Sequence, residues 1–130
     1  MTQENNPVVA DWPAESGHYK TVQILVGNSP YLRFGQTSTD MFTKETHGGI
    51  LKRFLELNQI PFDLEGYYDR VPERKGKGYE LVGAGLCDVD TVNRRASFYS
   101  YSKGYEIMIN PGHVASIRRL QPEWKLEVEQ

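Results

Sequence analysis

The sequence is short of most features that would assign it to a class at once. It holds a single cysteine, Cys87, in 130 residues, so no internal disulfide can form and a reducing, cytosolic compartment is expected. No uncharged apolar run approaches the roughly 20 residues of a membrane-spanning helix; the stretch around Val22 to Val26 is far shorter. The opening residues, MTQENNPVVADW, are polar and include acidic groups, which argues against a secretory signal. A bias of charge is missing too. Against 15 Lys and Arg stand 17 Asp and Glu, for a formal net charge of −2, so the basic pairs Arg94-Arg95 and Arg118-Arg119 do not make a nucleic-acid partner the expectation. The three histidines, His18, His47 and His113, have no second histidine, cysteine or carboxylate at zinc-ligand spacing, and no metal is expected. No internal repeat or low-complexity tract is present.

What remains is an ordinary globular composition. At 38% hydrophobic and 12% aromatic residues, the chain can build one core and is too short for two of normal size. Residues 1–17, with Asn-Asn-Pro and Trp-Pro, read as an irregular N-terminal arm, and 18–130 as the domain. His18 to Val26 is β-branched and alternating enough for a strand that stops at Gly27-Asn28-Ser29-Pro30, and Tyr31 to Phe34 suits a second. Ile50, Leu51, Phe54, Leu55 and Leu57 or Asn58 follow helical spacing, with Thr43 or Thr46 as cap, which puts His47 in the first turn. A short strand within Ile60 to Tyr68 and a flexible basic loop from Arg70 to Gly78 come next. Tyr79 to Leu86 and Ala96 to Ser102 form a hairpin, Asn110 and Pro111 open a second helix to Leu120, and Trp124 to Val128 is a last strand. The fold class expected is α/β of the α+β type: one mixed sheet flanked by two helices.

Chemistry concentrates at two places. In KETHGGILKRFL, Gly48 and Gly49 weaken a helix start by about 1 kcal/mol each relative to alanine, so they suggest space beside His47 for an anionic ligand at exposed backbone N–H groups. A cap histidine beside a loose turn is the plainer alternative. In Tyr99-Ser100-Tyr101-Ser102-Lys103-Gly104-Tyr105, a hydroxyl, an ammonium and a glycine follow one another where a strand ends, a composition that can cradle phosphate or serve as ordinary turn chemistry. Period-two spacing sets Tyr99 and Tyr101 on one face and Ser102 on the other. Gly83 and Gly85 mark a bulge or a close backbone approach, Cys87 reads as a small buried or half-buried residue, and His18 and His113 as structural or exposed.

The segments HYKTVQILV, ETHGGILKRF, YELVGAGL and SFYSYSKGY followed by PGHVASIRRLQPEWKLEV stand in the order that resembles the Janus/Ocnus family, over roughly Tyr19 to Val128. That family includes a small protein histidine phosphatase. The resemblance implies metal-independent hydrolysis of phosphohistidine in a protein or peptide, no cofactor, no membrane or nucleic-acid partner, and a monomer. It assigns His47 the catalytic role, as general base or as transiently phosphorylated nucleophile, and gives Lys20 and the turn Ser102, Lys103, Gly104 and Tyr105 to the phosphate. Neutral imidazole suits either role near pH 7. Where the family has an arginine after its glycine-rich strand, this chain has Leu86, and Lys103 is the residue that can restore the charge. A phosphate or phosphopeptide-binding module without turnover, or an interaction protein of the same fold, are the other readings.

Overall fold

A computed structural model describes residues 8–37, 45–65 and 71–129. Strand β1 (Gly17–Val26) turns through Gly27 and Asn28 into β2 (Ser29–Gln36), with Val26 opposite Ser29. Gly27 takes φ +62 and Asn28 does not follow it into positive φ, the pattern of a hairpin turn that demands glycine first and matches the twist of its strands. β2 begins at Ser29, ahead of its expected start at Tyr31, because this tight turn lets pairing run to its very edge, while β1 gains only Gly17 at its far end.

Helix α1 (His47–Leu57) follows, then β3 (Leu64–Glu65) and β4 (Val71–Pro72), which pair with each other. Long β5 (Glu80–Asp90) turns at Asp90, whose carboxylate accepts from the Val92 and Asn93 amides, into β6 (Arg95–Tyr99). Short β7 (Tyr101–Ser102) and β8 (Ile107–Met108) pair, and α2 (Pro111–Leu120) and β9 (Lys125–Val128) complete the order. The main sheet runs β2-β1-β5-β6-β9, antiparallel except for the parallel β6 and β9 pair, which α2 connects. The expected mixed sheet between two helices is therefore present.

Alternation on β1 feeds both faces. Val22 and Ile24 pack with Ile50, Leu51, Phe54 and Leu55 of α1, while Leu32, Cys87, Phe98, Val114 and Ile117 form a second core under α2. Each fully buried aliphatic side chain adds roughly 1.5–3 kcal/mol. The described part of the N-terminal arm, from Val8 onward, is irregular but packed: Leu32 N–H bonds the Val9 carbonyl, and Trp12 stacks on Trp124 at 3.9 Å between centroids. Trp12 also approaches Phe34, so the arm lies against the α2-side core.

Two expectations are corrected. The strand drawn from Ala96 to Ser102 breaks at Ser100, which has φ +71, so period two does not carry across it. Tyr101 is 60% exposed while Ser102 is buried, the reverse of a tyrosine face turned inward. The basic loop is also more ordered than its composition suggests. The Leu81 amide bonds the Arg74 carbonyl, Arg74 Nε donates to the Leu81 carbonyl, and Lys75 bridges to Glu80, so this segment runs beside β5. The first part of that loop includes β4, which packs on α1. Expected positions at Thr43, Tyr68 and Arg70 lie outside the described residues.

On the α2 face, the turn before the helix is held by buried polar groups. Gln23 Nε2 donates to the Asn110 carbonyl and its Oε1 accepts from the Asn110 amide. Gly83 is opposite Gln23, and a Cβ there would lie 1.9 Å from Gln23 Oε1, so the glycines of β5 reflect close approach. His113 completes the network: Gln23 Nε2 donates to its Nδ1 and its Nε2 donates to the Ile24 carbonyl, a pattern only the neutral ring satisfies.

Burial pushes His113 down from 6.5 to about 4. Because the unfolded chain takes up this proton at higher pH than the folded one, the contribution is fully present above pH 6.5 and is lost as pH falls toward 4, by on the order of 3 kcal/mol. Urea denaturation at stepped pH should show this slope, and His113→Gln should be less stable at pH 7 but flatter between pH 6.5 and 4. An equal slope in both proteins would count against the assignment.

Candidate functional site

His47 begins α1 because Thr46 caps the helix: its hydroxyl accepts from the Gly49 amide at 2.9 Å, while its carbonyl accepts from Ile50. From there the ring reaches the centre of the sheet. His47 Nε2 lies 2.8 Å from the Gly85 carbonyl oxygen, and since a carbonyl only accepts, Nε2 carries the proton. In the neutral ring the lone pair is then on Nδ1, which has no hydrogen-bond partner among the described residues.

Three effects set its protonation. Partial burial lowers the His47 pKa from 6.5, the bond to Gly85 raises it by a smaller amount, and the positive charge of Lys20 lowers it again. The net direction is down, so His47 is neutral at pH 7. Lys20 is opposite Gly35 on β2 and Leu86 on β5, and shares the α1 side of β1 with Val22. The expected lysine and histidine are thus electrostatic neighbours. Leu86 lies between Lys20 and Tyr99 in the same cross-strand row, so an apolar side chain stands beside the ammonium.

The turn after β7 approaches the same helix start through Tyr105. This ring is buried in the α1-side core, and its hydroxyl donates to the Pro72 carbonyl at 2.8 Å. Ser102 is 1% exposed, and its Oγ accepts from the Tyr105 amide at 3.4 Å, so the hydroxyl builds the turn. Lys103 and Gly104 are exposed at its tip. Lys20 and His47 therefore come together, Tyr105 packs beside the helix start, and Ser102 is turned inward.

Gly48 has a different purpose from the one expected. A Cβ there would lie 2.2 Å from Val71 Cγ1 and 3.4 Å from the Tyr105 hydroxyl, so this glycine admits β4 and Tyr105 rather than a ligand. Val71 and Pro72, in the segment after α1, therefore line the surroundings of the helix start. His18 is exposed and paired with Asp88, which also accepts from the Tyr99 hydroxyl at 2.8 Å. Among the described residues, no group of three or more His, Cys, Asp or Glu could hold a metal ion.

No protein-family model matches the sequence, and no curated protein does.

A cleft of about 750 Å³ lies along the β2 edge, lined by Trp12, Tyr19, Phe34, Gln36, Glu45 and Arg53 among others, and none of the expected site residues lines it. Chemistry is better sought at His47, where a neutral imidazole and a cation meet, than in this cleft. Sequence reading did not find the Gly85 carbonyl or Glu45, since a backbone acceptor leaves no mark in side-chain type and Glu45 acts only through folded neighbours.

The two glycines of the site should separate in a stability measurement. Gly48→Ala is expected to cost about 1–3 kcal/mol by overpacking against Val71. Gly104→Ala, whose Cβ meets nothing within 4 Å, should stay within about 0.5 kcal/mol of the parent. Equal urea midpoints for the parent and Gly48→Ala would refute this packing role.

Proposed function

We propose that the protein hydrolyses phosphohistidine, or a closely related phosphoramidate, in a protein or peptide without a metal, as the resemblance to the Janus/Ocnus family implies. The observation that carries this reading is His47: its Nε2–H is committed to Gly85, its Nδ1 has no partner among the described residues, and Lys20 holds a positive charge nearby.

Such a site suits the P–N bond. In one route, Nδ1 takes a proton from water as the water oxygen attacks phosphorus, the P–N bond breaks, and the departing imidazole nitrogen is protonated. In the other, Nδ1 attacks phosphorus itself, and water then cleaves the phosphorylated His47. Either route yields histidine and inorganic phosphate from phosphohistidine and water. Both need His47 unprotonated, which its lowered pKa provides at neutral pH. The Lys20 ammonium would balance charge gathering on the phosphoryl oxygens, helped by the exposed turn at Lys103 and Gly104. Ser102 and Tyr105 contribute by holding that turn.

A binding module without turnover is the second reading, favoured by Leu86, which puts a leucine beside Lys20 where the family has a second positive group. Within a reading of either kind, no helix among the described residues is long and apolar enough to cross a membrane.

Phosphate release from a phosphohistidine peptide in chelator distinguishes the two. The parent protein should turn over, with a rate that rises with pH through a midpoint below 6.5 and then levels, while His47→Ala and His47→Asn lose at least about a hundredfold. A parent protein that binds the peptide but releases no phosphate would leave the binding module.

A further inference from the structure

Glu45, two places before His47 and half-buried, is tied down more heavily than a loop residue needs to be. The Glu45 amide donates to the Gln36 carbonyl at 3.3 Å, and Glu45 Oε2 accepts from the Gln36 amide at 2.6 Å. Its other oxygen, Oε1, accepts from Arg53 Nη1, and Arg53 Nη2 donates to the Phe34 carbonyl at 3.1 Å. Glu45 is thereby fixed to the edge strand through its backbone and both carboxylate oxygens, and Arg53 fixes the second turn of α1 to the same strand.

The sheet has made room for this. At Gly35, a Cβ would lie 2.6 Å from Glu45 Oε2 and 2.5 Å from Ile50 Cδ1, so only a bare position lets the carboxylate lie over β2. Gly35 is opposite Lys20, which puts Glu45 on the same face of the sheet, one strand away from the lysine. A surface ion pair alone contributes little to stability. Here the pair restrains the only residue between β2 and the Thr46 cap whose side chain reaches back to the strand among those described, and the imidazole hangs from the residue after that cap.

We propose that Glu45, held by Arg53, is a positioning residue for His47: it sets where the chain enters α1, so that Nε2 stays on the Gly85 carbonyl and Nδ1 keeps one direction. This rests on the phosphatase reading for its effect on rate but not for its effect on the ring. Misdirecting a reacting group by about 1 Å can cost on the order of a hundredfold in rate. Glu45→Gln keeps an acceptor for the Gln36 amide and removes the charge that orients Arg53; Arg53→Gln removes the same pair from the exposed helix side.

Two readouts test it on the intact chain. In ¹⁵N spectra at neutral pH, the parent His47 should be almost wholly the Nε2–H tautomer, and both variants should show a mixture of tautomers. Leu57→Ala, at the far end of α1, serves as the control for simple helix loosening and should keep the parent signature. With a small phosphoramidate as substrate, both variants should lose roughly ten- to hundredfold in kcat with KM within about twofold. An unchanged tautomer in both variants, or an equal change in Leu57→Ala, would overturn the proposal. A parent protein without turnover would defeat the phosphatase reading and leave the tautomer result to decide the positioning role.

Discussion

The hydrogen bond from His47 Nε2 to the Gly85 carbonyl joins the start of α1 to the middle of the sheet, and the arrangement around it follows from keeping that distance at 2.8 Å. For the ring to reach β5, the helix must begin close to the sheet. The Thr46 cap defines where it begins, Gly48 lets Val71 pack against its first turn, and Tyr105 fills the space beneath with its hydroxyl on Pro72. The short strand β4 and the turn that carries Tyr105, minor in extent, are therefore parts of the wall beside that helix start.

The two neutral histidines, His113 buried and His47 partly buried, show how the same tautomer serves different ends. His113 donates from Nε2 to a carbonyl and accepts at Nδ1 from Gln23, so both ring nitrogens are used and the ring is a piece of structure. His47 also donates from Nε2 to a carbonyl, but its Nδ1 has no partner among the described residues. Both are held neutral by burial, and at His47 the charge of Lys20 acts in the same direction. What separates the two rings is the second nitrogen, paired with Gln23 at His113 and without a partner among the described residues at His47.

Much of the fold was legible because local signals agreed with the tertiary pattern. Ile50, Leu51, Phe54 and Leu55 carry helical spacing and are the face that α1 buries, and Asn110 with Pro111 opens α2 where a cap and a first-turn proline belong. Legibility failed where tertiary contact overrode composition. Ser100 takes positive φ that its residue type does not announce, and the polar residues 74–76 gain order from the edge of β5. At the site, the pairing of Lys20 with His47 could be anticipated from the motif order, whereas Gly48 was misread because its neighbour Val71 comes from 23 residues later in the chain. The inward turn of Ser102 was hidden for a related reason, as strand periodicity was carried past the break at Ser100.

The claim on which the functional account stands is that Lys20, His47 and the turn at Lys103 and Gly104 meet one phosphate. Titrating the protein with inorganic phosphate while following backbone amides and the His47 ring by NMR addresses this directly. Signals from Lys20, His47 and Lys103 to Tyr105 should shift together along one saturation curve, and Lys20→Ala should weaken that curve at every one of them. Shifts confined to the cleft lined by Trp12 and Arg53, or curves at His47 and the turn that saturate independently, would contradict a single phosphate site.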